Sequence, residues 1–172
     1  MAKAASSRQP RDCPCFSGAR YLACCAPFHR GEREAETPAL LMRSRYSAFA
    51  LGLGPYLVRT LASQHEDLGL PREALIRELS QARDRQRFMG LRILHEAYAD
   101  AESVGVGVGV GVGEVMFHAR IFEKGVDGSF VELSQFVREG NAWRYASGLM
   151  VPRADLPADL DPLTPADLRR RG

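Results

Sequence analysis

From Pro38 onward, apolar and small residues recur at helical spacing: Leu40, Leu41, Ser44, Tyr46, Ser47 and Phe49. Thr37 stands where an N-cap is wanted and Pro38 at the first helical position, where a missing N–H costs nothing. The GLGP run at 52–55 interrupts this helix, and the stretch from Tyr56 to Leu61 reads as a second one. A third helix is expected from Pro71 to Phe88, with Leu75, Ile76, Leu79 and Ala82 as its apolar stripe. After Gly90 the period changes to two. LRILHEAY, EVMFHARIF, FVELSQFVR and AWRYASGLM then read as strands. The segments 125–128 and 139–141 supply hairpin loops between the later strands. Helices first and antiparallel strands second predict an α+β fold, with the helices packed on one face of the sheet.

Alternation sorts the strand residues onto faces. Val115, Phe117, Ala119 and Ile121 share one side of their strand, and Met116, His118, Arg120 and Phe122 the other. Phe130, Glu132, Ser134 and Phe136 likewise share a face, a mixture suited to a semi-polar cavity lining. The run SVGVGVGVGVGE at 103–114 alternates Val and Gly, which puts every valine on one side of an extended chain. It reads as a strand-loop-strand extension. A glycine-rich phosphate loop needs a following helix and a Lys-Ser or Lys-Thr pair, which this run lacks.

Composition places the chain among ordinary soluble domains: 172 residues, 45% hydrophobic, 26% charged, net charge +2. So balanced a charge argues against a surface devoted to nucleic acid. No run of about 18 apolar residues exists, so no membrane partner is expected. The N-terminus carries no apolar stretch behind its basic residues, and the cytoplasm is the expected compartment.

All four cysteines fall within CPCFSGARYLACC, residues 13–25. In a reducing compartment, thiols clustered this closely are metal ligands before they are disulfides. Cys13, Cys15, Cys24 and Cys25 can close a tetrahedral shell of soft donors around zinc, with iron as the alternative. A redox dithiol is disfavoured because the spacing is C-x-C rather than C-x-x-C. His29 could stand in as a ligand, and Arg11, Arg20 and Arg30 could offset the thiolate charge. Such a site lacks an open coordination position and is expected to be structural, so no catalytic residue is assigned.

The pattern C-P-C-x-S-G-x-x-Y-x-x-C-C resembles the SEC-C motif, a metal-binding module. The P-x-H-x-G that follows, LMRSRYSAFALGLGPYLVRT, GLRIL, FHARI and SQFVREGNAWRYASG resemble the YchJ family over most of residues 13–148. The resemblance implies a SEC-C module ahead of a cone-shaped domain similar to nuclear transport factor and cystatin-like folds. It places Cys13, Cys15, Cys24 and Cys25 on the metal ligands. On this basis residues 1–34 are a flexible start plus metal module, 35–150 the cone domain, and 151–172 a flexible tail. Phe16 and Ala19 stand where the family usually has Gly and Lys, and Leu22 where a basic residue is common. If that Gly has positive φ, a phenylalanine there costs about 1 kcal/mol, so a different turn is expected.

A cone implies a hollow. Arg43, Arg45, Tyr46, Glu132, Ser134 and Phe136 are the candidates to line it, with Glu132 paired to Arg43 or Arg45 near the mouth. His65, His95 and His118 have no evident acid or nucleophile beside them. The functional reading is an adaptor whose metal module orders a docking surface for a protein partner related to translocation, the ribosome or chaperones. A small-molecule-binding or enzymatic cone is the alternative. RNA association is a second alternative, through the cysteine module or through Arg77, Arg83, Arg85 and Arg87. Sheets of cone folds often pair, so a homodimer is also open.

Overall fold

The computed structural model describes residues 9–99 and 111–172. The helices are α1 (Ala26–His29), α2 (Pro38–Leu51), α3 (Gly54–Arg59), α4 (Arg72–Ser80), α5 (Ala82–Arg85) and α6 (Pro165–Arg169). The strands are β1 (Gln86–Ala99), β2 (Val112–Glu123), β3 (Val126–Asp127), β4 (Phe130–Glu139) and β5 (Ala142–Pro152). They form one antiparallel sheet in the order β1-β2-β4-β5, with β3 paired to β2. The α+β architecture is therefore as expected from the change of period. None of the described helices is long and apolar enough to cross a membrane.

Thr37 does cap α2, its side chain accepting from the Leu40 N–H at 3.3 Å, with Pro38 in the first turn. The helix is buried on more than one side: Leu41, Met42 and Tyr46 enter the main core, while Ser44 and Ser47 are fully covered elsewhere. That explains why its stripe mixes apolar with small polar residues. The main core lies between α2 and the inner face of the sheet, where Val115, Phe117, Ala119, Ile121, Phe136 and Trp143 project.

Two expectations need correction. The helix expected over 71–88 stops early: α4 and α5 end at Arg85, and Gln86 already pairs with Glu123 in the sheet. Strand pairing captured the last residues that the helical stripe seemed to claim. The segment after residue 150, expected as a flexible tail, is instead a packed cover. Leu156, Leu160 and Leu168 are buried with Met116, Val131, Leu133 and Val151 on the outer face of the sheet. Helix α6 is closed by a Thr164–Asp167 capping box, and Arg92 and Arg169 pair with Asp161 and Glu114 across this cover. Three widely spaced leucines among Pro and Asp show no period. Only the apolar residues of the sheet's second face require them.

The Val-Gly run lies outside the described residues up to position 110. Its end opens β2, and there the glycines have a purpose. A Cβ at Gly113 would sit 2.6 Å from Cγ of Pro38 and 3.1 Å from Cβ of Tyr98. Glycine therefore faces the start of α2, and Val112 faces solvent.

Candidate metal centre and cone cavity

The segment from Cys13 to Cys25 folds as a knuckle held by its own backbone. Cys13 N–H donates to the Ala19 carbonyl at 2.9 Å, and Phe16 N–H to the Cys13 carbonyl at 3.1 Å. A short 3-10 turn over Tyr21–Ala23 then delivers Cys24 and Cys25 to the opening of α1. The four Sγ atoms all lie within 4.8 Å of one another. Cys15 and Cys24 are 3.6 Å apart and Cys24 and Cys25 3.9 Å. The edge of a sulfur tetrahedron with bonds of about 2.3 Å is about 3.8 Å, so these spacings fit a metal and are far too long for a disulfide. All four cysteines are free thiols.

Electrostatics point the same way. Cys15 is pulled well below the usual thiol range by hydrogen bonds from Cys13, Cys25 and Ser17. Cys13, donating to Cys15, is pushed up to about 11. Cys25 is driven up by its hydrogen bonds to Cys13 and Cys15 and by burial. A divalent cation among these sulfurs would favour their ionised forms.

The knuckle is not a loose appendage. Arg43, Ser47 and Leu51 recur at i, i+4 and i+8 on α2 and all face it. Arg43 Nη1 donates to the Cys15 carbonyl at 3.1 Å, Ser47 Oγ lies 3.9 Å from Cys13 Sγ, and Leu51 packs on the cysteine cluster. His29 is occupied otherwise than as a ligand. Its Nδ1 meets Tyr21 Oη and its Nε2 the Ser44 carbonyl, each at 2.8 Å, and it packs edge-on against Tyr56. Of the arginines expected near the thiolates, Arg30 instead meets Glu32 and Gln9. Arg43 brings a guanidinium from α2 to the knuckle.

Phe16 overturns the expectation of a different turn. It adopts φ 58°, so the loop keeps the left-handed conformation and bears a phenylalanine in it. Its ring, 48% exposed, stands edge-on to Tyr46 at 6.2 Å. A left-handed backbone costs a non-glycine residue about 1–2 kcal/mol, which one half-exposed ring contact offsets only in part. Phe16→Gly is therefore expected to tighten metal binding by a few-fold in a chelator competition assay. A loss would mean that the ring, not the backbone, holds the loop.

Above the inner face of the sheet lies a cavity of about 730 Å³, lined by Arg45, Tyr46 and Glu132 among others. The remaining residues proposed for it lie elsewhere. Arg43 and Arg45 are about 200° apart around α2, so when one faces the cavity the other faces the knuckle. Ser134 is fully buried below Glu132, and Phe136 belongs to the main core. The direct Glu132–arginine pair does not form. Glu132 Oε1 accepts from Ser134 Oγ at 2.6 Å and Tyr145 Oη at 3.0 Å. Arg45 lies over the Tyr145 ring at 4.7 Å and donates to the Leu57 carbonyl at 2.8 Å and Thr60 Oγ1 at 2.5 Å. A tyrosine thus stands between the two charges. Burial pushes the Arg45 guanidinium below its ordinary value, and burial with the neighbouring Glu132 raises the Tyr145 phenol.

Sequence reasoning missed His65, Tyr145, Gly148 and Met150 in this lining. Strand β5 carries a register shift opposite Gln135 and Phe136, where Ala146 is extra. The shift inverts parity, so Tyr145 shares a face with Gly148 and Met150 rather than with Ser147 and Leu149. A strict period of two could not have shown this. Of the other histidines, His95 lies 3.5 Å from Glu114, and His118 Nε2 is buried without a partner among the described residues.

Comparison with known proteins now adds lineage. Residues 37–148 match the family model described as the middle NTF2-like domain of YchJ. The chain is 35% identical to the UPF0225 protein YchJ of Shigella dysenteriae over 136 residues, covering 79% of this chain and 81% of that one. A SEC-C motif containing protein from Rhodopseudomonas palustris, solved in solution, superposes with TM-score 0.61 at 31% identity, over 79% of this chain and 95% of its own. A SEC-C motif containing protein from Psychrobacter arcticus shares the fold, with TM-score 0.59 at 24% identity over 82% of each chain.

Proposed function

The chain belongs to the YchJ family, and from that premise we propose that it is a cytosolic zinc-binding adaptor whose metal knuckle presents a docking surface to a protein partner. One observation supports this above all: four sulfurs within 4.8 Å of one another, set on the backbone of a single helix-docked loop. Four thiolates with no open position suit a structural zinc, and hold the knuckle without offering a reactive site. Cys13, Cys15, Cys24 and Cys25 would bind the ion, while Arg43 fixes the loop that carries Cys15.

The surface so held is unlike a solvated loop. Phe16 and Leu22, 48% and 57% exposed, stand on the knuckle beside the exposed Arg20. Apolar groups with a cation at the rim suit recognition of a protein. Elemental analysis of the purified chain should find one zinc per chain. A Phe16→Ser/Leu22→Ser variant should retain that zinc yet lose the proteins captured from lysate by the parent. Absence of metal, or iron at full stoichiometry, would overturn the zinc assignment. Capture unaffected by the double substitution would overturn the docking surface, and salt-sensitive co-sedimentation with ribosomes would place RNA there instead.

A further inference from the structure

The cone cavity is large, mostly apolar and unused by the adaptor reading. Its volume of about 730 Å³ would take a bicyclic aromatic molecule with room to spare. Phe49, Phe88, Phe117, Phe130, Leu79 and Met150 supply its walls. One acid interrupts them at the floor: Glu132, 8% exposed.

A carboxylate held in apolar surroundings is costly unless it is fully paired. Glu132 is paired on one oxygen only. Ser134 and Tyr145 both donate to Oε1, which fixes the plane of the carboxylate. Among the described residues Oε2 accepts nothing, and it is not sealed off by protein either. The backbone is shaped around this pair. A Cβ at Gly148 would run into both Glu132 and Tyr145 Oη, so glycine at this point of β5 lets the two side chains meet under the strand.

The surrounding charge is acidic. Glu66 and Asp67 stand at the same cavity as Glu132, against the guanidinium of Arg45 and the imidazole of His65, which lies 3.7 Å from Asp67. That guanidinium is covered by the Tyr145 ring and donates to Leu57 and Thr60. An anion would find its counter-charge hidden, whereas a cation would find an open carboxylate oxygen. We infer that the cone cavity binds an amphipathic organic cation, an aromatic or aliphatic body carrying a protonated amine that donates to Oε2 of Glu132. A charge-assisted hydrogen bond made in a cavity walled mostly by apolar side chains discriminates against an uncharged or anionic analogue. The knuckle takes no part, so this inference stands or falls separately from the zinc adaptor.

Calorimetry with the full metal-loaded chain tests it, using naphthylethylammonium and naphthylacetate as matched probes. The ammonium should bind saturably, one per chain, and at least about tenfold tighter than the carboxylate. Glu132→Gln keeps an acceptor for Ser134 and Tyr145 and should erase that preference. Met150→Trp, at a 55% exposed position directly across the strand pair from Glu132 on the inner face, should fill the space in front of Oε2 and weaken the ammonium while the acid itself is retained. It also serves if Glu132→Gln fails to fold. Equal or tighter binding of naphthylacetate, no saturable ammonium binding, or an unaltered preference in Glu132→Gln would each overturn the inference, as would unweakened ammonium binding in Met150→Trp.

Discussion

Stripping the metal with a chelator, or replacing Cys15 with serine, is expected to melt the knuckle while the sheet stays folded. Metal-free, the knuckle retains only a small cluster: Tyr21, Ala26 and Leu51 around four thiols. Structural zinc in peptides of similar size contributes about 10–16 kcal/mol, far more than a few buried side chains can replace. Amide exchange should therefore become fast over residues 11–25 and stay slow in β2 and β4. The apparent metal affinity should also fall as pH is lowered. Without metal, Cys13 keeps its proton up to about 11, so binding must expel it, and each added proton in solution opposes that step. If amides 11–25 remained protected after complete removal of metal, the thiols would be packing groups and no more.

Trp143→Ala should be the most damaging single change in the cone, costing about 3–5 kcal/mol. Trp143 is 1% exposed at the start of β5. Tyr98 stands edge-on to it at 5.8 Å, Arg138 lies over it at 5.8 Å, and its Nε1 donates to the Glu36 carbonyl at 3.2 Å. That last bond ties the segment entering α2 to the sheet. A loss of this size would lower the melting temperature by on the order of 10 °C for a chain of this length. Trp143→Phe retains most of the apolar volume and should cost about 1 kcal/mol, chiefly the hydrogen bond. Urea denaturation measures both, and a loss under about 1 kcal/mol for the alanine variant would refute the role given to the ring.

Local chemistry was legible in the sequence, and long-range partnership was not. The Thr37-Pro38 start of α2, the face of β2 carrying Phe117 and the crowding of four cysteines all depend on residues a few positions apart. The position of Arg43 is different. Nothing nearby says that it leaves the cavity for the Cys15 carbonyl, although the angle between positions 43 and 45 shows that both cannot go the same way. Tyr145 was hidden by an irregularity in β5, and the packed cover of residues 156–168 by its lack of any period. Phe16 shows the opposite failure. Intrinsic preference favoured another turn, and the surrounding hydrogen bonds from Cys13 and Phe16 kept the left-handed one.

The close approach of Pro38 to Gly113 makes the start of β2 sensitive to the phase of its own alternation. Valine and glycine alternate up to this point, so glycine stands at every second position, 111 and 113 among them. A one-residue slip would bring valine there, and its methyl groups would push the first turn of α2 off the sheet. Phase, rather than any one side chain, is thus what this end of the strand must keep.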